Sequence, residues 1–361
     1  MKNAFTFKNT AFATLALVCV GASAQSSVTL YGVVDSTFMV GKGSLTNKTQ
    51  LGNSGNTTTR LGFRGTEDLG GGLKAGFVLE AGFDNNTGAG GATNPNNQGV
   101  YNPATGKFSA NSTGGGGLTF NRRSMLTLAG AWGELRLGRD YTPHYWQYAV
   151  FDPFTMNGVG ASVIYAGSLG GPTLVRASNS IGYVLPKGLG GFYGQAQIYS
   201  GNNAANNDGD GVSARLGYES GPLNVALAAG RTKVATPGDI TTINAGLSYD
   251  LGAVKLSGMY GTDEVGNVAK STGYMVGASM PLGAGQLRAN YSQTKLEIAG
   301  TTPKASKFSV GYVHNLSKRT ALYGTVSFLD NKNGAKYALN GATTAANASS
   351  KGLDFGIRHA F

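Results

Sequence analysis

The sequence predicts an all-β chain: a sixteen-stranded antiparallel barrel that crosses a membrane with its strands. Three observations predict it. Short segments alternate apolar and polar residues with period two, the connections between them are alternately short and long, and the charged residues share the strand face opposite the apolar ones.

Period two separates side chains onto the two faces of a strand. Thr59-Arg60-Leu61-Gly62-Phe63-Arg64 is one such stretch, and Ala253-Val254-Lys255-Leu256-Ser257-Gly258-Met259-Tyr260 is another. Sixteen segments of this kind fall at about 27–40, 57–67, 73–84, 119–129, 133–140, 176–185, 191–200, 211–220, 222–231, 240–250, 252–262, 271–281, 285–296, 306–315, 319–329 and 351–361. An even number returns the chain to the side on which it began.

Short turns include Leu69-Gly70-Gly71-Gly72, Glu219-Ser220-Gly221-Pro222, Asp250-Leu251-Gly252 and Leu316-Ser317-Lys318. Between them lie long stretches rich in Gly, Asn, Ser and Thr, at 85–118, 141–175 and 330–350. Short periplasmic turns on one rim and long extracellular loops on the other are the plan of an outer-membrane barrel. Hydrocarbon leaves no water for an unpaired backbone group, so the sheet must close and the last strand must pair with the first.

The faces then assign the interior. Leu61 and Phe63 oppose Arg60, Gly62 and Arg64; Phe77, Leu79 and Ala81 oppose Glu80 and Asp84; Leu353, Phe355, Ile357 and Phe361 oppose Asp354, Gly356 and Arg358. Apolar side chains outward and charged ones inward make a wet lumen, because a charge facing lipid costs about 2–4 kcal/mol at mid-depth. Tyr31, Tyr218, Tyr249, Tyr260 and Phe361 lie near strand ends, where an aromatic girdle at the lipid interface is expected.

Residues 1–24 read as a cleaved export signal and 25–361 as the barrel. Lys2 and Lys8 precede an apolar run from Ala11 to Val20, and Gly21-Ala22-Ser23-Ala24 offers a cleavage site before Gln25. That run is too short to span a bilayer as a helix. Cys19, the only cysteine, falls within it, so no disulfide is expected in the barrel. Beyond residue 24 the chain keeps 27 of its 29 Lys and Arg against 18 Asp and Glu, a formal charge of +9. Those cations sit on alternating strand positions, which suits a lumen rather than a nucleic-acid surface. His144, His314 and His359 have no partner set resembling a catalytic triad, and no His, Cys or carboxylate spacing suggests a metal. No enzyme activity and no cofactor are expected.

Four segments resemble the Gram-negative porins of the β-proteobacterial and neisserial type. They are Ser27-Val28-Thr29-Leu30-Tyr31-Gly32-Val33-Val34-Asp35, the stretch from Arg60 to Ala75, Gly133-Glu134-Leu135-Arg136-Leu137-Gly138-Arg139, and the ending Gly356-Ile357-Arg358-His359-Ala360-Phe361. The resemblance implies a general diffusion channel for ions and small hydrophilic solutes, built as a homotrimer with the third long loop, Tyr141 to Val175, folded inward. Within that loop Asp152-Pro153-Phe154 resembles the family's turn at the constriction. Arg60 matches the family by motif and Arg176 resembles its arginine just after the loop, both on the wall facing that turn. For the pair Arg122-Arg123 the motif Phe-x-Arg picks Arg122, whereas alternation with Leu126 and Leu128 picks Arg123. Arg64 points inward and lines either the constriction or a wider vestibule. Arginines facing a carboxylate would set a transverse field, and rings of Arg favour anions. The implied partners are outer-membrane lipid and lipopolysaccharide, and the barrel-assembly machinery, reached through the terminal Phe361. A nutrient-specific channel or a barrel with an adhesive role is the alternative.

Overall fold

The computed structural model describes residues 27–361; the expected signal at residues 1–24, with Cys19, lies outside the described residues. The chain forms a closed antiparallel barrel of sixteen strand positions. Its first strands are β1 (Ser27–Lys42), β2 (Lys48–Asn53), β3 (Arg60–Gly70) and β4 (Leu73–Gly82). The loop that follows carries a separate hairpin of β5 (Gly99–Asn102) and β6 (Lys107–Ala110). The wall resumes with β7 (Arg123–Gly130), β8 (Gly133–Tyr141), β9 (Arg176–Val184), β10 (Phe192–Tyr199), β11 (Gly211–Ser220) and β12 (Leu223–Thr232). It is completed by β13 (Ile240–Asp250), β14 (Lys255–Val265), β15 (Ala269–Leu282), β16 (Gly285–Ile298), β17 (Lys304–Asn315), β18 (Thr320–Lys332) and β19 (Ser350–Ala360).

Each wall strand pairs with its neighbours along the chain, and β1 closes the ring against β19 from Val33↔Ala360 to Lys42↔Lys351. Beyond β19 the backbone of Phe361 still pairs with Gly32, N–H to O in both directions at 3.0 and 3.1 Å. Closure leaves no strand edge in lipid.

One expected strand is broken. β2 and β3 lie end to end along β1, with Ser54 to Thr59 between them leaving the ladder. The Asp35 carboxylate holds this break open by accepting the N–H groups of Asn56 at 2.9 Å and Thr57 at 2.7 Å. The break projects inward: Asn56 meets Arg288 on β16, five strand positions away around the wall, at 3.0 Å.

The outward face is apolar, as alternation requires: Leu126, Leu227, Ile243, Val276 and Phe355 are exposed for lipid to cover. Tyr218, Tyr249, Tyr260 and Phe361 are on that face. Tyr31 is a correction to the girdle. It shares the parity of buried Val33 and Asp35, points into the lumen, and donates to Glu80 Oε2 at 3.1 Å.

The loop from 142 to 175 lies inside the barrel against β11 to β19 and carries two short helices, α1 (Tyr145–Phe151) and α2 (Val163–Gly167). Inward-facing glycines make room for it. A Cβ at Gly246 would overlap the Phe151 ring, one at Gly277 would come within 2.6 Å of Pro153 Cγ, and one at Gly352 would strike Val159. Tyr148, Phe151 and Ile164 then pack on Met259 and Met275 of the wall in one apolar cluster. Above it the β5–β6 hairpin crosses the mouth. Phe108 packs with Leu169, Val265 and Leu296, and Lys107 Nζ donates to Ala166 O at 2.6 Å.

Candidate constriction and selectivity wall

Five neighbouring strands bring the inward charges together. Glu80 on β4 faces Arg123 on β7 in the ladder, and Tyr141, the last residue of β8, faces Arg176, the first of β9. Arg60 opens β3 next to them. The Glu80 carboxylate accepts from Arg122 Nε at 2.7 Å, with Arg60 Nε at 3.6 Å. Asp140 lies 3.0 Å from Arg123 Nε and 3.0 Å from Arg136 Nη1.

Tyr141 organises the remaining charge. Its hydroxyl accepts from Arg176 Nη2 at 2.7 Å and from Arg122. The guanidinium carbons of Arg176, Arg123 and Arg122 lie 4.3, 5.0 and 5.7 Å from its ring centroid, within cation–π range. The loop then continues the aromatic surface, with Tyr145 stacked on Tyr141 at 5.3 Å and Trp146 tilted against it at 5.2 Å. Arg123 also lies 5.7 Å from Trp146.

Both members of the Arg122-Arg123 pair therefore reach the cluster. Arg123 does so by alternation, in step with buried Met125. Arg122 precedes the strand, where alternation does not apply, and its N–H is bonded to Glu80 O at 3.0 Å. Arg64 lies one inward step beyond Gly62, exposed, with its guanidinium 5.3 Å from the Tyr31 ring. It lies toward the periplasmic turn, apart from the Tyr141 cluster.

Asp152 and Phe154 are placed differently from the expectation. Asp152 is 2% exposed and faces the barrel wall behind the loop. Its Oδ1 accepts the N–H of Phe154 at 2.9 Å and its Oδ2 that of Ser162 at 2.7 Å, which folds the loop back on itself. Burial pushes the Asp152 carboxyl above the usual carboxylate range. Phe154 is buried near Gly311 on β17. The acids that face the arginines are thus Glu80 and Asp140 on the same wall. The loop presents Tyr145, Trp146 and exposed Val150 in place of a charge.

Sequence reasoning misses Tyr141 and Asp140 as members of this group, and it reads Glu80 as an inward acid without pairing it with these arginines. Their signal is present: Tyr141 and Asp140 end the strand before the loop, and Glu80 is an inward acid two residues from the end of β4. The tip of the loop is fixed by Thr58 Oγ1 donating to Asn157 Oδ1 at 2.8 Å, and by Val159 N–H donating to Asp354 Oδ2 at 2.7 Å.

A closed lipid-facing barrel, wet and charged inside and narrowed by an inward loop, defines an outer-membrane channel protein. A family model described as Gram-negative porin matches residues 11–334. Outer membrane porin protein 32 of Delftia acidovorans is 35% identical over 94% of this chain and 95% of its own length. A second outer membrane porin protein, from Bordetella pertussis, is 33% identical over 57% of this chain and 54% of its own. Among solved structures, an anion-selective porin from Comamonas acidovorans superposes with a TM-score of 0.79 at 35% identity, over 93% of this chain and 100% of that one. OmpT of Vibrio cholerae, in its trimer form, has a TM-score of 0.63 at 14% identity over 93% of this chain and 99% of its own, a likeness of fold alone. The chain belongs to the Gram-negative porin family, and it is an outer-membrane general diffusion porin.

Proposed function

We propose that this porin prefers anions and that the wall of Arg60, Arg122, Arg123 and Arg176 sets the preference. One observation carries the reading. Where the loop narrows the lumen, these four guanidinium groups face two carboxylates, Glu80 and Asp140, a formal surplus of two positive charges. Guanidinium stays charged at any relevant pH. The loop opposite is aromatic and adds no acid, because Asp152 is buried behind it. Asp152 and Phe154 serve the constriction indirectly, by fixing the loop to the wall. Arg64 serves the vestibule. The 35%-identical solved relative is an anion-selective porin, which supports the same sign here.

The same reading takes the working unit to be a homotrimer in outer-membrane lipid and lipopolysaccharide, exported by residues 1–24 and passing ions and small hydrophilic solutes. Phe361 is read as the signal for the barrel-assembly machinery. Catalysis has no place in it. His144 is buried between Thr142 and Ser213, and His314 and His359 are on the lipid face. Purified protein in a planar bilayer should give stepwise conducting insertions. Folded protein that inserts and passes no current would overturn the channel reading.

A further inference from the structure

We infer that five lysines on the outward face of β16, β17, β18, β19 and β1 bind the phosphates of lipopolysaccharide directly, with no divalent cation as a bridge. The inference rests on the reading of lipopolysaccharide as a partner in the outer membrane, and it gives that partner a site.

The ladder registers place the lysines. Lys295 on β16 faces Lys304 on β17, and Lys304 in turn faces Lys332 on β18. On the next two wall positions Lys351 of β19 faces Lys42 of β1. All five have outward parity. Lys295 is in step with exposed Tyr291, Lys304 with Phe308, Lys332 with Phe328, Lys351 with Leu353 and Lys42 with Phe38. Each lies within three residues of the extracellular end of its strand.

Their depth follows from the rungs beneath them. Tyr291, Phe308 and Phe328 face one another as an outward aromatic rung, which suits the lipid interface. The next outward rung, Gln293, Ser306 and Asp330, is already polar. Lys295, Lys304 and Lys332 form the one after it. Four residues at about 3.3 Å each, on strands tilted by about 40°, put these lysines roughly 10 Å beyond the aromatic rings, at headgroup level.

Like charges directly opposite each other destabilise a sheet. Of the five lysines only Lys295 has a carboxylate within ion-pair distance among the described residues, Glu297 at 2.9 Å. Lys304, Lys332, Lys351 and Lys42 have none. Asp330 is the other acid on this face of the five strands, so five cations meet two carboxylates. Lys351 Nζ lies 5.9 Å from the Phe328 ring, which joins the two lysine groups into one patch.

An anion of the outer leaflet supplies the missing counter-charge. Lysines at a membrane surface are attracted to anionic headgroups. The rung from Lys295 to Lys332 covers about 10 Å, so a rigid head with two separated phosphates is held at both ends. Lipopolysaccharide carries such a head, a disaccharide with a phosphate at each end, whereas a phospholipid brings a single phosphate. Against this wall the ammonium groups take the place of the divalent cations that otherwise sit between such phosphates.

Diphosphoryl lipid A is the probe, added with EDTA to the folded, delipidated porin in detergent, and binding is read by native mass spectrometry. Wild type should bind it in EDTA, and more tightly than monophosphoryl lipid A or phosphatidylglycerol. Lys304→Gln with Lys332→Gln should weaken binding about thirtyfold, the order expected for two lysines at a phosphate surface. Lys304→Arg with Lys332→Arg should keep it. Loss of wild-type binding in EDTA would overturn the inference and point to metal bridging through Glu297 and Asp330. Equal binding of either single-phosphate lipid, or unchanged affinity in the glutamine variant, overturns it as well. If the glutamine variant does not assemble, the three lipids on wild type decide. These lysines face away from the lumen, so the variants keep wild-type conductance and ion selectivity. A porin that binds lipid A and passes no current defeats the channel reading and leaves this one standing.

Discussion

Tyr141 and Arg176 face each other across the β8–β9 ladder, and Arg176 also donates to the Tyr141 hydroxyl at 2.7 Å. The entire inward loop, 142 to 175, lies between these two residues. The pair that closes the loop is therefore also the centre of the charged wall, which couples loop position to electrostatics. Asp152, in the middle of the same loop, contributes shape and no charge to the passage.

Glu80 is the acid that most directly offsets the wall. Glu80→Gln should raise the chloride-to-potassium permeability ratio, and Arg176→Gln should lower it. A unit charge about 6 Å from an ion's path in water is worth about 0.7 kcal/mol, so each change is on the order of threefold. Reversal potentials in a salt gradient check both. The differences should shrink at high ionic strength, where screening is shorter-ranged.

Inward glycines seat the loop. Gly246→Ala would drive a methyl group into the Phe151 ring, and overpacking of this kind costs about 1–3 kcal/mol. The variant should show larger or noisier unit conductance and faster proteolysis of the loop. Gly258→Ala, on the lipid face with its nearest neighbour at 3.8 Å, should match wild type in both measurements.

His144 makes the loop acid-sensitive. Burial pushes its imidazole down to about 4 from an ordinary value near 6.5. Its contacts are uncharged: Thr142 and the backbone of Thr173 and Leu174 in the loop, Ser213 on β11, Gly230 on β12 and Asn244 on β13. A released loop would bind the proton below about pH 6.5, and the seated loop only near 4. The seated state should therefore lose stability as pH falls from about 6.5 to 4, by on the order of 3 kcal/mol, and no further below that. His144→Gln should flatten this slope. An unchanged acid profile of thermal unfolding or conductance in that variant would exclude His144 as its source.

The barrel is legible because lipid imposes a strict rule on one strand face. Alternation alone puts Arg60, Arg64 and Arg123 inward and finds all sixteen strand positions. The errors arise where alternation stops applying. Arg122 lies just before its strand, so parity puts it outside, whereas the Phe-x-Arg motif places it correctly. Tyr31 resembles a girdle aromatic because its type suits lipid, yet Val33 and Asp35 share its face. The break from Ser54 to Thr59 is held by Asp35, a contact no local pattern announces. The motif around Asp152 suggests a lumen acid, while its orientation is fixed by the N–H groups of Ser162 and Phe154. Gly246, Gly277 and Gly352 carry a readable trace of the inward loop, as small residues on the wet face.

Phe361 separates assembly from simple stability. Its ring covers Gly32, where a side chain would collide with it, and its backbone completes the β1 seam. Deleting Phe361 should leave export intact and sharply reduce heat-modifiable trimer in the outer membrane, with unfolded chain accumulating in the periplasm. Assembly at the normal rate with a slightly lower melting temperature would instead leave it an interfacial aromatic, worth about 1–2 kcal/mol of burial.

The most direct test of the arginine wall is the zero-current potential of the wild-type channel across a potassium chloride gradient. The surplus of Arg60, Arg122, Arg123 and Arg176 over Glu80 and Asp140 predicts the sign of chloride preference. A potential of the sign set by potassium would contradict it and would make the lumen acids the dominant charges.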